Sequence, residues 1–425
     1  MSPDPFDFRP DHRDRESAIP TSHDRVLAAL ELREPDRVPT FDLMLEPAIV
    51  GTMLGKKPSL TDRMFSPDRA PAFTDWYFGL LHRYPAVFEQ LVGGLVNDYT
   101  RKFALEAARA AVEMGYDSAW IAFSPIMRNR DSRSMTDIHG RLLDTAVSES
   151  GFQEPPVYRE GLIKSEADWE AWNKRPLFAL PERTNSVFSD IVRKYGSRLF
   201  IFGFVTYGIF ENVWQSMGFE RFIVASRKEK GFIARMIRFY EDLHCMLLEA
   251  LADAGVPAAV YTDDLAYKSG PMLNPRTIDE LFGDSYRRLT ETAHALGIKL
   301  VMHSCGNVTS LLEWFADCGF DAVQSLEPTA GVTLKEAKAL VGDRLCLIGN
   351  IDVSEVLVSG TREDVFEAVR EAVQDAGPGG GLILSPAHNH SGVSVECLRW
   401  MLEAVREYGG YPLSMDSDPK GSEER

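Results

Sequence analysis

An imidazole and a thiol two residues apart, His303-Ser-Cys305, close the apolar run Ile298-Lys-Leu-Val-Met302. Strand side chains repeat every second residue, so a continuing strand aims both groups at one point. Imidazole nitrogen and thiolate sulfur are zinc donors, and such a pair makes half of a metal site. The spacing recurs at His388-Asn-His390, after the run Leu382-Ile-Leu384. Facing His303 and Cys305 across a shared opening, His388 would complete the ligand set. Asp263 and Asp264 follow Ala258-Ala-Val-Tyr-Thr262. A carboxylate pair can share a proton, bind a cation or cap a turn. Tyr207, Glu327, Asn350 and Asp42 also stand just after or within short apolar runs.

Eight such runs must position these groups. They begin at Phe41, Ser118, Leu199, Ala258, Ile298, Ala322, Leu345 and Leu382. From residue 197 onward helical patterns alternate with them, including Glu280 to Ala295 and Thr361 to Ala376. Eight buried strands alternating with helices predict an α/β fold, a parallel (β/α)8 TIM barrel. A doubly wound sheet is the competing architecture, but no Gly-x-Gly-x-x-Gly follows the first strand. Between the second and third runs, Asp137 to Asp144 reads as a hairpin and Ser165 to Trp172 as a capped helix. These predict an insertion after strand 2. A helix is expected from Ser22, with Ser22 as its cap, and another from Phe103 to Gly115. Residues 1–21 read as a flexible arm, 22–412 as the barrel and 413–425 as a disordered tail.

The barrel rule then gives the candidates an address, because active sites of this fold form at the C-terminal strand ends. Asp263, Asp264, Asn350 and Asp42 become catalytic candidates. Tyr207, Glu327 and His390 become substrate-binding candidates, and His303, Cys305 and His388 metal ligands.

Charge narrows the partners. The formal net charge of -17 argues against nucleic acid and against an anionic membrane surface. No apolar run approaches the length of a membrane span. The first residues lack the apolar core of a signal peptide. Five scattered cysteines argue against a disulfide framework and fit a reducing cytoplasm.

The chain resembles the uroporphyrinogen decarboxylase superfamily, in its methyltransferase-like branch, from about Ser22 to Tyr411. The carriers are Arg25-Val-Leu-Ala-Ala-Leu with Glu34-Pro-Asp-Arg-Val-Pro39, Tyr158 to Lys164, Asp263 to Met272, His303-Ser-Cys-Gly-Asn-Val308, Leu326-Glu-Pro-Thr-Ala-Gly331, Ile348-Gly-Asn-Ile-Asp352 and Gly379 to Pro386. The resemblance implies a (β/α)8 barrel, often paired into a homodimer. It also implies methyl transfer between a small substrate and a corrinoid carried by a partner protein. Zinc would activate a thiol, held in such relatives by a His-x-Cys after the fifth strand and a Cys after the eighth. Here His303 and Cys305 match, while Ala387-His388-Asn389-His390 replaces the last cysteine. His388 would then act as a nitrogen ligand, with Glu327 as a fourth. Asp263 and Asp264 would orient substrate or move a proton, and Asn350 would donate a hydrogen bond into the cleft.

Two alternatives follow from the same resemblance. One is a cofactor-free decarboxylase with a mouth aspartate as proton handler. The arginine-rich substrate segment of true uroporphyrinogen decarboxylases is absent after the first strand, where the chain reads Asp42-Leu-Met-Leu-Glu-Pro. The other is a non-catalytic binder of a tetrapyrrole or corrinoid.

Overall fold

A computed structural model describes residues 20–43, 47–57, 85–121, 127–129, 134–144, 156–388 and 392–413. The expected arm and tail lie almost wholly outside the described residues, as does His390.

The barrel strands are β1 (Phe41–Leu43) and β2 (Ser118–Trp120), then β7 (Phe200–Tyr207), β8 (Ala258–Thr262), β11 (Lys299–Ser304), β12 (Ala322–Ser325), β13 (Cys346–Ile351) and β14 (Leu382–Pro386). They pair in parallel in chain order. The Leu384 amide donates to Pro39 O at 2.9 Å, joining β14 to the start of β1 and closing the barrel. The eight runs are thus the eight strands of a TIM barrel.

Between β2 and β7 lie β3 (Met127–Asn129), β4 (Ser134–Asp137), β5 (Arg141–Asp144) and β6 (Val157–Gly161), an antiparallel sheet in chain order. The helix Glu166–Ala171 follows, capped by Ser165. A two-stranded ribbon, β9 (Ala266–Tyr267) with β10 (Gly270–Pro271), stands after β8. Among the described residues no helix is long and apolar enough to cross a membrane.

Two apolar clusters divide the strands by alternation. Phe41, Phe202, Val260, Val301, Ile348 and Ile383 meet inside the barrel. Their neighbours Ile201, Tyr261, Met302, Leu347 and Leu384 pack outward under the helices. This division fixes which residue of each strand end faces the mouth.

The opposite end is closed by the helix Ser22–Leu30, whose Val26, Ala29 and Leu30 enter the inner cluster. Thr21 caps it instead of Ser22. Thr21 Oγ1 accepts from the Asp24 amide, and the Asp24 carboxylate accepts from the Thr21 amide at 2.9 Å. The hydroxyl of Ser22 turns to Asp117. Asp117 is buried and accepts from both Arg37 Nη atoms, from Arg25 Nη1 and from the Thr40 amide. The Arg25 and Glu34-Pro-Asp-Arg-Val-Pro39 segments are therefore joined to β2 by one buried carboxylate. Asp117→Ala leaves the Arg37 guanidinium without its carboxylate, while Arg25 keeps Asp36, and should cost about 3 kcal/mol. The expected reading is a lower urea midpoint with metal content unchanged.

The helix expected from Phe103 begins at Pro85 and ends at Met114, before Gly115 at φ +86°.

Candidate metal centre

Inward-facing Val301 sets the phase of β11, so His303 also faces the mouth, and Cys305 follows just past the strand. Val260 does the same for β8, which brings Thr262 and then Asp264 to the opening. The strands are in register, with His303 opposite Thr262 on one side and Gln324 on the other. Ligand atoms of Asp264, His303 and Cys305 consequently lie within 4.8 Å of one another.

Each ligand is oriented from behind. The Gln324 amide nitrogen donates to Ala387 O at 3.2 Å, so its oxygen is left for His303 Nδ1. That oxygen can only accept, so Nδ1 carries the proton and Nε2 presents its lone pair. Cys305 Sγ stands 3.5 Å from Nε2. The Cys305 amide donates to Asp264 Oδ1 at 2.8 Å. Ser304 Oγ accepts from the Leu265 amide, tying the two strand ends together. The chain turns away at Gly306 (φ +84°), where a Cβ would stand 2.7 Å from Ala266 O and Tyr267 O. A histidine that donates its second N–H to a fixed carbonyl is the usual support of a metal-bound imidazole. Gln324→Ala should weaken metal binding about 10- to 100-fold. Competition with a chromophoric chelator reads that change.

The charges around the thiol also suit a cation. Burial first, then the carboxylates of Asp264 and Glu327, push the Cys305 thiol well above its ordinary range. A divalent ion reverses that electrostatic cost, and its binding releases the thiol proton. Imidazole nitrogen, thiolate sulfur and carboxylate oxygen form a three-ligand set of the kind catalytic zinc uses, with a fourth position for substrate. The residues fit zinc.

Several sequence-based expectations change. His388 follows Ala387 at the end of β14 and is not part of the group that Asp264, His303 and Cys305 form. Asp264 is the third member of that group, because the alternation on β8 aims it inward.

The same alternation turns Asp263 outward, next to the outer residue Tyr261. It is fully buried and accepts from the Phe210 amide (2.9 Å), the Glu211 amide (2.8 Å) and the Tyr286 hydroxyl (2.6 Å). Burial pushes its carboxyl up to about 7, against the pull of these three donors. It serves the N-terminus of the helix Ile209–Met217, and not the mouth. Gly208 is required there, since a Cβ would meet the Asp263 carboxyl carbon at 2.1 Å.

Asp42 lies between inward Phe41 and Leu43, so its side chain turns to the helix layer. Burial raises its carboxyl well above the usual range, and its charge reaches Tyr116, an outer-cluster residue. Neither Asp263 nor Asp42 is placed to touch a substrate at the mouth.

Tyr207 does face the mouth. The register slips between Phe204 and Tyr207, with Thr206 at φ +107°, so Phe204 pairs with Val260 and Tyr207 with Thr262. A bulge of this kind re-aims a side chain. Glu327 is buried beside the Cys305 thiol. Asn350 donates from Nδ2 to Leu326 O at 3.1 Å, which fixes the neighbouring loop.

Sequence reading missed Gln324, Glu211 and Arg141. Gln324 was accessible as the inward partner of His303 once the strands were set in register. Glu211 sits in the first turn of its helix, where burial and then the charges of Asp264 and Asp263 raise its carboxyl well above the usual range. Arg141 comes from the insertion, whose docking no local pattern announces.

Residues 149–408 match the family model described as uroporphyrinogen decarboxylase (URO-D). The fold is similar to that of a methyltransferase from Methanosarcina mazei, with a TM-score of 0.67 and 17% identity over 91% of this chain and 99% of that one. A stretch of 137 residues is 30% identical to the methylcobamide:CoM methyltransferase MtaA of Methanosarcina barkeri (strain Fusaro / DSM 804), covering 32% of this chain and 37% of the relative. A stretch of 99 residues is 36% identical to the uroporphyrinogen decarboxylase of Thioalkalivibrio sulfidiphilus, covering 23% of this chain and 27% of the relative. The chain thus matches 37% and 27% of the lengths of these two curated relatives. With the family model spanning more than half of its residues, the chain belongs to the uroporphyrinogen decarboxylase (URO-D) family.

Proposed function

We propose that this protein is a zinc-dependent methyltransferase that moves a methyl group between a small thiol and a corrinoid carried on a separate protein. The observation that carries the reading is the joint aim of Asp264, His303 and Cys305 at one point of the barrel mouth. The likeness to a methylcobamide:CoM methyltransferase supports it.

Asp264 Oδ, His303 Nε2 and Cys305 Sγ would hold the metal. Once bound, zinc supplies a site where a thiol is kept as its thiolate at neutral pH. The chain's own residues do the rest. Gln324 holds His303 in the tautomer whose Nε2 is free. Asp264 fixes the Cys305 backbone. Trp120 packs beside the His303 ring at 5.5 Å and shields that side. Tyr207, at the end of the neighbouring strand β7, would give the substrate chain an aromatic face. The corrinoid partner would cover the mouth, since the carboxylates beneath leave no shell of cations for a multiply charged tetrapyrrole. Asp263 is a positioning residue in this account, holding the helix that brings Glu211 behind the ligands.

Anaerobic incubation of zinc-loaded protein with methylcob(III)alamin and a panel of thiols tests the reading. Loss of the methyl–cobalt absorbance with formation of a methyl thioether is expected, and its absence with Cys305→Ala. No transfer to any thiol by metal-replete protein, together with release of carbon dioxide from a carboxylated substrate, would overturn it in favour of a decarboxylase.

A further inference from the structure

The helix Ile209–Met217 carries Glu211 behind the ligand group, and it is gripped at both ends. Asp263 holds its first amides. At the other end the insertion lies against it. The Ile163 amide donates to Ser216 O at 2.8 Å, and a Cβ on Gly161 would stand 2.4 Å from Ser216 O and from the Met217 nitrogen.

A buried polar relay runs from the insertion along this helix. Asp137 accepts from Arg141 Nε and from the backbone amides of His139 and Arg141. Arg141 Nη1 donates to Gln215 Oε1 at 2.7 Å, and Gln215 Nε2 donates to Glu211 Oε1 at 2.8 Å. Gln215 follows Glu211 by one helical turn, so the two share a face. The Asp264 amide in turn donates toward the Glu211 carboxyl. Among the described residues the ligand group does not include Glu211, yet the charge of Glu211 reaches both Asp264 and Cys305.

Like charges push Glu211 away from Asp264 and Asp263, while the guanidinium of Arg141 attracts it. A buried carboxylate keeps such a place only when its lone pairs are matched. Gln215 supplies one donor and the Asp264 amide another. Asp264 is then held twice, by its backbone at Glu211 and by its side chain at the Cys305 amide. We propose that Arg141 and Gln215 are positioning residues for the metal centre: through Glu211 they fix Asp264, and the insertion is part of the support of the site. This rests on Asp264, His303 and Cys305 as ligands, and not on methyl transfer.

The competing role for Arg141 is charge balance alone, which any nearby cation would serve. Two substitutions that keep every charge separate the roles. Gln215→Met breaks the relay with an apolar side chain of similar length. Arg141→Lys keeps the cation and loses the fork that serves Asp137 and Gln215 together. Cobalt(II), whose thiolate band reports Cys305, is titrated into metal-free protein against a chelator. Both variants should bind cobalt at least about tenfold more weakly than wild type, the effect of losing an outer partner of a ligand. Trp172→Phe is the control. It removes the Nε1 bond to Ile138 O at 2.9 Å, loosening the insertion without touching the relay, and should bind cobalt as wild type does.

Wild-type affinity in Gln215→Met would overturn the proposal. Wild-type affinity in Arg141→Lys would make Arg141 a countercharge and overturn its positioning role. Equal weakening in Trp172→Phe would reduce the relay to general stability and overturn it too. If wild type shows no thiolate band, or Cys305→Ala keeps it, the ligand assignment fails and the relay with it. A normal band with unchanged affinity in Gln215→Met removes the relay alone.

Discussion

Cys305→Ala is expected to purify without its metal and to lose methyl transfer to below about one thousandth of the wild-type rate, because the activated nucleophile depends on the bound ion. The fold should survive. Cys305 ends a strand whose apolar neighbours stay packed, and its backbone amide, not its sulfur, makes the bond to Asp264. The wild type should also show a pH signature. Burial, and then the surrounding carboxylates, raise the thiol's pKa, so at neutral pH it is protonated without metal. Binding must expel that proton. Metal affinity should therefore climb about tenfold per pH unit while the thiol remains protonated in the apo protein. The sign is fixed: a raised pKa opposes metal binding at low pH, and the opposition fades as pH rises. Cys305→Ser should remove this slope, as read by chelator competition between pH 6 and 8.

Asp263→Ala should be the most destabilising single change near the site, and should act without removing a ligand. The substitution orphans the Phe210 and Glu211 amides and the Tyr286 hydroxyl, all buried. Buried donors stripped of a shared acceptor cost about 1–3 kcal/mol each, so a loss of about 3–5 kcal/mol is expected after partial relaxation. Asp263→Asn should recover part of it, because the amide oxygen can still accept. The titration of Asp263 adds a test on metal-free protein. Its folded pKa of about 7 lies above the unfolded value, so the folded chain holds a proton that the unfolded chain has released. Stability from this group is present at low pH and is lost as pH rises through about 7. The apo protein should melt lower at pH 8 than at pH 5.5, and Asp263→Asn should flatten the difference. If Asp263→Ala instead keeps its melting temperature and loses only turnover, Asp263 handles protons for catalysis and its assignment as a positioning residue is wrong.

These two aspartates show what the sequence could and could not reveal. The eight strands were readable because each is a short apolar run between helical patterns, and closure by β14 against β1 follows from their number. His303 and Cys305 were readable because a strand repeats every two residues. Choosing Asp264 over Asp263 needed the phase of β8, which Val260 and Tyr261 do not reveal alone, since both are apolar and both buried. That phase appears only when the inner and outer clusters are assembled. His388 was favoured by ligand chemistry, yet the group was completed by a carboxylate one strand away, because neighbouring strands bring residues closer than opposite sides of the mouth do. Asp42 turns to the helix layer because it lies between inward Phe41 and Leu43, a phase that shows only once the inner cluster is assembled. Arg141 and Gln215 meet across the docked insertion, a tertiary contact 74 residues apart in sequence.

In the proposed site, one sulfur, one imidazole and one carboxylate of this chain hold a metal at the mouth. Zinc K-edge X-ray absorption of the loaded protein tests it most directly. One sulfur is expected at about 2.3 Å, with the remaining neighbours nitrogen or oxygen at about 2.0–2.2 Å. Sulfur should vanish from the first shell in Cys305→Ala, along with stoichiometric zinc. Two or more protein sulfurs around the ion, or near-stoichiometric zinc that persists in both His303→Ala and Cys305→Ala, would contradict it.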